Sequence, residues 1–225
     1  MHSSNRIPFI CFFIIAGIQL LAIATAMDLL RQISKPLLMP LLAWALYCNT
    51  PQVKGRYLLI VALLFSWAGD CLLMFDQRHE LFFIGGLISF LLTHILYIIY
   101  FLGITGNQAS LLKRKPYLAL PVPLYCIALL WVLFPHLGTL TIPVIVYAIV
   151  IGSMLLAAIH AYAKLIPIAA NFYLWGAILF IASDSILAIN KFLPSFAGAS
   201  FLIMLTYCAA QLCIVWAFVL QHRKG

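Results

Sequence analysis

Residues 81–102 read LFFIGGLISFLLTHILYIIYFL, a run of 22 residues without a charged side chain. An α-helix needs about 20 apolar residues to cross the hydrocarbon core of a bilayer, so this run predicts a transmembrane helix. Similar runs lie on both sides of it, separated by short polar breaks. Together they predict spans at 8–27, 36–49, 57–75, 81–102, 117–134, 139–160, 166–189 and 196–220. Lys35-Pro36 would open the short second span, because proline suits the first turn of a helix.

The composition of the whole chain agrees with this pattern. Of its 225 residues, 66% are hydrophobic and 8% are charged, and the mean hydropathy is +1.13. A soluble domain keeps about a quarter of its residues charged, so this chain has too little charge to cover a globular surface. We therefore expect an all-α, multi-pass membrane bundle of about eight helices, with residues 1–225 forming a single membrane domain. Its membrane would be the plasma membrane in a bacterium.

The net charge of +8 does not indicate nucleic-acid binding, because the basic residues are spread between apolar runs. With eight spans, the side that holds both termini carries nine of them: Arg6, Lys54, Arg56, Lys113, Arg114, Lys115, Lys164, Arg223 and Lys224. The other side carries four: Arg31, Lys35, Arg78 and Lys191. The excess predicts that both termini are cytoplasmic. The apolar run 7–26 is longer than a signal-peptide core, so we expect the first helix to be retained.

The six cysteines contain no C-x-x-C spacing, and all fall in apolar segments. They are typical of small buried hydrophobic residues. Neither a disulfide framework nor a metal site is predicted, and no cofactor is implied.

A faint internal repeat divides the chain. Residues 69–73 (GDCLL) resemble residues 183–187 (SDSIL), and residues 93–94 (TH) resemble residues 206–207 (TY). The offsets are 114 and 113 residues, and each pair lies four predicted spans apart. Either the matches arise by chance in an apolar sequence, or the bundle consists of two four-helix halves related as parallel repeats.

Two aspartates are the main candidates for a functional site. Asp70 and Asp184 are each embedded in an apolar span, about one or two turns from its non-cytoplasmic end. A carboxylate inside a bilayer is costly, so such residues usually face a cavity or a partner. Their matching depth predicts a shared site. The alternative is that each aspartate only bonds a neighbouring helix.

Other polar residues could complete such a site at the same side of the membrane. Lys35 and Arg31 would lie at its mouth, where they could bind a phosphate. Lys35 could instead pair with an aspartate, or only extend its ammonium to the membrane interface. The remaining candidates form two pairs, each on one helical face: His94 with Tyr97, and Tyr207 with Gln211.

Two carboxyl groups in a dry cavity should not both ionise easily, so one is expected to stay protonated beside the other. This arrangement suits acid–base hydrolysis of an acetal-like C–O bond. It also suits a proton-coupled transporter or flippase of small lipids. The residue types alone do not decide between these functions, and a scaffold role for both aspartates is the third option.

Several short motifs, taken in order, resemble the YhhN-like membrane proteins, the family that contains the animal lysoplasmalogenases. The motifs are KPLLMP (35–40), GDCLLMF (69–75), GLISF (86–90) with His94 and Tyr97, LF (179–180) with SDSILA (183–188), and LTY (205–207) with Ala210-Gln211. One departure is Cys208, where many members would have a second aromatic residue.

The resemblance implies an eight-helix enzyme that cleaves the vinyl ether bond of lysoplasmalogens. The products would be a fatty aldehyde and a glycerophospho-ethanolamine or -choline. Asp70 and Asp184 match the family's acidic positions. We expect both to be catalytic, with a narrow preference for Asp70 as the acid. The family's polar positions are matched by Lys35, His94, Tyr97, Tyr207 and Gln211, which we expect to bind the substrate together with Arg31. The implied partners are a lysophospholipid substrate and membrane lipids; neither the resemblance nor the residues indicate an oligomeric state.

Overall fold

The computed structural model of the chain describes residues 5–76 and 78–222, and the regular structure of these ranges is helical. The helices are α1 Ile7–Ala24, α2 Asp28–Asn49, α3 Lys54–Leu73, α4 Glu80–Leu102, α5 Leu111–Arg114, α6 Pro121–Leu133, α7 Thr141–Ala161, α8 Pro167–Phe192 and α9 Ala199–His222. Four short 3₁₀ turns lie beside α6 and α7, at Pro116–Ala119, Phe134–His136, Gly138–Leu140 and Tyr162–Lys164. The all-α prediction is confirmed. Arg223 and Lys224, which were counted for the orientation, lie outside the described residues.

In the described part of the chain, seven helical stretches are long and apolar enough to cross a membrane. They are Ile7–Ala24, Gly55–Leu73, Glu80–Leu102, Pro116–His136, Gly138–Lys164, Pro167–Phe192 and Ala199–His222. They correspond to every predicted span except the second. The chain is therefore an integral membrane protein with several spans.

Helix α2 is the counterpart of the second predicted span. Its 22 residues reach about 33 Å at 1.5 Å per residue, which exceeds the roughly 30 Å hydrocarbon core. The amide of Asn49, its last residue, donates to the carbonyl of Asn5 just before α1. The Arg56 side chain, near the start of α3, donates to the carbonyl of Thr50 just after α2. Helix α2 thus runs antiparallel to two span-length neighbours, which makes about eight membrane helices.

The predicted start of this helix is wrong. Helix α2 begins at Asp28, so Pro36 lies inside it, as does Pro40. Three charged residues before Pro36 lower the hydropathy of this segment and make it look like a loop. Prolines are nevertheless tolerated inside membrane helices, because neighbouring groups satisfy the carbonyls that lose a donor. As a result Lys35 lies two turns into α2 and not at its first residue.

The chain forms two compact units. The first contains the described residues up to Tyr100 together with the last turn of α9 from Phe218. The second contains Phe101–Ala217. Within these bounds α1, α2, α3 and most of α4 belong to the first unit, and α6, α7, α8 and most of α9 belong to the second.

Internal contacts of the two units follow the offsets of the sequence repeat. In the first unit a Cβ atom added to Gly69 would lie 2.7 Å from the Phe90 ring, so α3 and α4 approach closely there. The equivalent residues of the second unit are Ser183 and Ile203, and the Ser183 hydroxyl donates to the Ile203 carbonyl at 3.1 Å. The third and fourth helices of each unit therefore pack through corresponding residues.

A second pair of contacts lies one residue out of this register. The hydroxyl groups of Ser66 and Thr93 lie 3.1 Å apart in the first unit. By the offsets of the repeat their counterparts are Phe180 and Thr206, whereas the Phe180 ring meets Tyr207, one residue further along α9, with centroids 5.7 Å apart. This second contact is therefore shifted by one residue between the units. The contact of Gly69 with Phe90 and that of Ser183 with Ile203 are the ones that agree with two four-helix halves.

Candidate functional site

Asp70 lies in the last turn of α3 and is almost fully enclosed, with 4% of its side chain exposed. The ammonium of Lys35 on α2 is 3.5 Å from its Oδ1 atom, and the Lys35 side chain is 20% exposed. A carboxylate inside a membrane is retained where a counter-charge stabilises it. The structure therefore brings two of the predicted site residues together as an intramembrane ion pair.

The first two turns of α2 carry a second ion pair nearer the helix end. Arg31 donates to Asp28 at 3.1 Å, and their side chains are 39% and 77% exposed. Asp28 lies in the first turn of the helix, where the positive end of the helix dipole favours an acidic group. Exposure falls along these charged groups from Asp28 through Arg31 and Lys35 to Asp70. The charged side chains are thus exposed at the start of α2 and buried at Asp70.

His94 and Tyr97 lie on α4 in the same unit, and both side chains are fully buried. Their shared face, predicted from the three-residue spacing, packs inward. Next to them, the Thr93 hydroxyl contacts Ser66 on α3 and also reaches the carbonyl of Ala62. These hydroxyl contacts hold α3 and α4 together, and Ser66 lies one helical turn before Asp70 on α3.

In the second unit Asp184 lies on α8, eight residues before its end at Phe192. The Tyr147 hydroxyl of α7 donates to its Oδ2 atom at 2.5 Å. In both units the second helix thus supplies a partner for an aspartate of the third helix. The partner in the first unit is the ammonium of Lys35, whereas the partner in the second is an uncharged hydroxyl.

A small cavity lies beside this second aspartate. It has a volume of about 50 Å³, and its walls come from α6, α7 and α8. Tyr125 of α6 and Ser185 of α8 also line it, and the tyrosine hydroxyl donates to the serine at 2.8 Å. The carboxyl of Asp184 therefore borders a partly open cavity with mostly apolar walls.

The remaining predicted residues, Tyr207 and Gln211, lie on α9 in the second unit and are buried, at 4% and 0% exposure. Tyr207 packs its ring against Phe180 of α8. Cys208, the departure from the family pattern, is buried next to it. Among the described residues, no three His, Cys, Asp or Glu side chains are grouped closely enough to hold a metal ion.

The model of the YhhN family matches residues 30–218. The chain belongs to the YhhN family. The matched range contains Lys35 and Asp70 of the first unit and Tyr147 and Asp184 of the second. No solved structure matches this chain significantly.

Several curated relatives of this YhhN-family chain carry the name lysoplasmalogenase. The protein of Mycobacterium bovis is 33% identical over 174 residues, which cover 75% of this chain and 62% of that relative. The pig protein TMEM86B is 31% identical over 178 residues, or 78% of this chain and 70% of the relative. Bovine TMEM86A is 33% identical over 169 residues, or 72% and 65%. The match thus spans less than two thirds of the mycobacterial relative.

Sequence reasoning missed three residues of the site in this YhhN-family member. Tyr147, Tyr125 and Ser185 surround Asp184, but none was predicted as a site residue, and Ser185 entered only as part of the motif SDSILA. Tyrosine is common in membrane helices, and its spacing to a residue on another helix carries no signal. The one available hint was the run SDS at residues 183–185, which concentrates three polar side chains in an apolar span.

Proposed function

We propose that this YhhN-family chain hydrolyses the vinyl ether bond of lysoplasmalogens within the membrane. The observation that carries the proposal is the buried ion pair of Lys35 with Asp70, 3.5 Å apart, in the span that holds the family motif GDCLLMF. A buried carboxylate with a fixed counter-charge at membrane depth is a default candidate for a functional group. The names of the relatives give the substrate class.

The reaction needs one proton donor, one anionic group and one water molecule. The donor transfers a proton to the β-carbon of the vinyl ether, which leaves a positive charge shared by the α-carbon and the ether oxygen. Water then adds to the α-carbon and loses a proton. The resulting hemiacetal breaks its bond to the glycerol oxygen, which gives a fatty aldehyde and the glycerophospho-alcohol. An acid and a stabilising carboxylate together supply these steps.

The charge environments favour a particular division of these roles. Lys35 provides Asp70 with a counter-charge, which suits a carboxylate that stabilises the cationic intermediate and orients water. Asp184 lies at the wall of a mostly apolar cavity, where the Tyr147 hydroxyl fixes the direction of its carboxyl group; this placement suits transfer of a proton to a hydrocarbon segment in that cavity. This assignment reverses the narrow preference that the sequence suggested. It requires that both carboxyl groups act on the same substrate, and this requirement stays a prediction.

The headgroup would bind at the exposed end of α2. Arg31 is the better phosphate ligand, because its side chain is 39% exposed and its carboxylate partner, Asp28, lies largely in solvent. The ammonium of Lys35 is paired with Asp70, so it would attract the phosphate only at longer range. The polar side chains of His94, Tyr97, Tyr207 and Gln211 would position water or glycerol. We further propose that the chain acts as a single membrane domain with both termini in the cytoplasm and this end of α2 on the opposite side.

The test is aldehyde release from lysoplasmalogen by the purified protein in detergent. The matched control substrate is the saturated alkyl ether lysolipid, which lacks the double bond and should not react. Asp70→Asn and Asp184→Asn should each lower kcat by about 100-fold or more, because each removes a group that acts in the transition state. Full activity in both variants would eliminate the two-carboxylate mechanism. Movement of intact lipid across liposomes without aldehyde would instead identify a transporter.

A further inference from the structure

The cavity beside Asp184 lies entirely within the second unit, between α6, α7 and α8. Four of its lining residues carry oxygen in their side chains: Tyr125, Tyr147, Asp184 and Ser185. Apart from Cys126, the other lining residues are aliphatic and come from all three helices. The cavity is therefore a largely hydrocarbon space with one polar stretch of wall.

The polar wall is satisfied by contacts among its own members. Tyr147 donates to Asp184, Tyr125 donates to Ser185, and Ser185 donates to the Ile181 carbonyl at 2.7 Å. Ordered water occupies internal spaces mainly where it satisfies polar groups that lack partners, whereas apolar cavities stay dry. Since these side chains already have partners and the remaining wall is aliphatic, the favoured occupant is a hydrocarbon group and not water.

The volume limits how much hydrocarbon can enter. A space of about 50 Å³ corresponds to roughly three to five water-sized groups, since one such group needs about 10–15 Å³ by this measure. That is enough for a few consecutive carbons and far too little for a whole fatty chain. The occupant that matches is a short chain segment placed directly against the carboxyl of Asp184.

We propose that this cavity binds the chain carbons that adjoin the reacting bond of an ether lysophospholipid and presents them to Asp184. Tyr147 acts as a positioning residue that fixes the direction of the carboxyl group. The inference rests on the proposed function, and it adds a location for the reacting segment. Tyr125 of α6 lines the cavity and is 45% exposed. A chain can therefore reach the cavity from the side of this helix.

Filling the cavity is the first experiment. Ala188 lines it one turn after Asp184, and Ala188→Leu adds three carbons to the space. We expect kcat/KM to fall by about 100-fold, as for a substrate displaced by an ångström. The loss should be the same for short-chain and long-chain substrates, because the segment next to the bond is common to both. The melting temperature should stay the same or rise, since filled cavities are often stabilising.

The matched control is Ala182→Leu, which makes the same change on the same helix outside the cavity lining. It should retain kcat/KM within about threefold of the unaltered protein. Equal activity in Ala188→Leu and Ala182→Leu would overturn the proposal. So would a loss in Ala188→Leu that grows with chain length, because that pattern would assign the cavity to the distal chain.

The second experiment does not depend on turnover. The probe is a saturated alkyl ether lysophospholipid with a photoreactive diazirine on the carbons next to the ether oxygen. We expect crosslinks to the cavity walls on α6 and α7, near Leu129, Leu130 and Ala148, and their loss in Ala188→Leu. Crosslinks confined to the first unit would overturn the inference. Crosslinks at the cavity in a protein that releases no aldehyde would uphold the binding site and reject the proposed function.

The role of Tyr147 is tested by Tyr147→Phe, which removes one hydroxyl and keeps the ring in the wall. A positioning residue should lower kcat by about 10- to 100-fold with KM changed less than threefold, and should leave the diazirine crosslinks unchanged. A lower melting temperature with unchanged kcat would instead assign the Tyr147–Asp184 contact to stability alone.

Discussion

The ion pair between Lys35 and Asp70 allows a prediction about stability that does not require knowledge of the substrate. Lys35→Met keeps most of the length of the side chain and removes its charge. The change would leave the carboxylate of Asp70, 4% exposed, without its counter-charge. Removal of one partner of a buried pair costs more than removal of both, because the remaining charge stays buried and uncompensated.

The distance sets the size of the effect. Two unit charges 3.5 Å apart attract by about 5 kcal/mol at an effective dielectric constant of 20. The Lys35 side chain is 20% exposed, and solvent screens part of this energy, so we expect a loss of about 2–3 kcal/mol. For a protein of this size the melting temperature should fall by about 4–12 °C.

The assay is thermal unfolding of the purified protein in detergent, followed by tryptophan fluorescence. The set comprises Lys35→Met, Asp70→Asn and the double variant, which together form a double-mutant cycle. The double variant should unfold at a higher temperature than Lys35→Met, because it no longer contains the uncompensated charge. Arg31→Met is the control on the same helix. It breaks an exposed pair that contributes about 0–1 kcal/mol.

Two results would refute this reasoning. One is a melting temperature for Lys35→Met equal to that of Arg31→Met. The other is strict additivity in the cycle, in which the double variant is less stable than the unaltered protein by the sum of the two single losses. Either result would mean that the two charges do not interact strongly in the folded protein.

Two further predictions concern packing and topology. Gly69→Ala should lower the melting temperature by about 2–12 °C. The added Cβ atom would lie 2.7 Å from the Phe90 ring, and such overpacking of the α3–α4 contact costs about 1–3 kcal/mol. Phe90→Leu, added to the same chain, should restore the melting temperature. Gly17→Ala is the control, because its Cβ atom would meet nothing within 4 Å, and an equal loss there would contradict the packing argument. Arg31→Cys, in a chain without native cysteines, should react with a membrane-impermeant thiol reagent added from the non-cytoplasmic side; labelling only from the cytoplasmic side would contradict both the orientation and the headgroup site.

Two aspartates at similar depth stand out as candidates in the amino-acid sequence, because charge is rare in this chain and expensive in a membrane. The ion pair of Asp70 with Lys35 can also be predicted from the sequence, since both residues are expected near the same side of the membrane. The start of α2 cannot be predicted in this way, because the charged residues before Pro36 imitate a loop when only hydropathy is considered.

The sequence by itself therefore determined the class of fold, the approximate spans and the rare polar residues, since each depends on the local cost of placing a side chain in hydrocarbon. Only the tertiary structure decided which polar groups meet. The pairing of Asp184 with Tyr147 and the cavity beside them depend on the rotation of α6, α7 and α8 about their axes. That rotation is set by packing among helices that are apolar on nearly every face, so the hydrophobic pattern does not encode it.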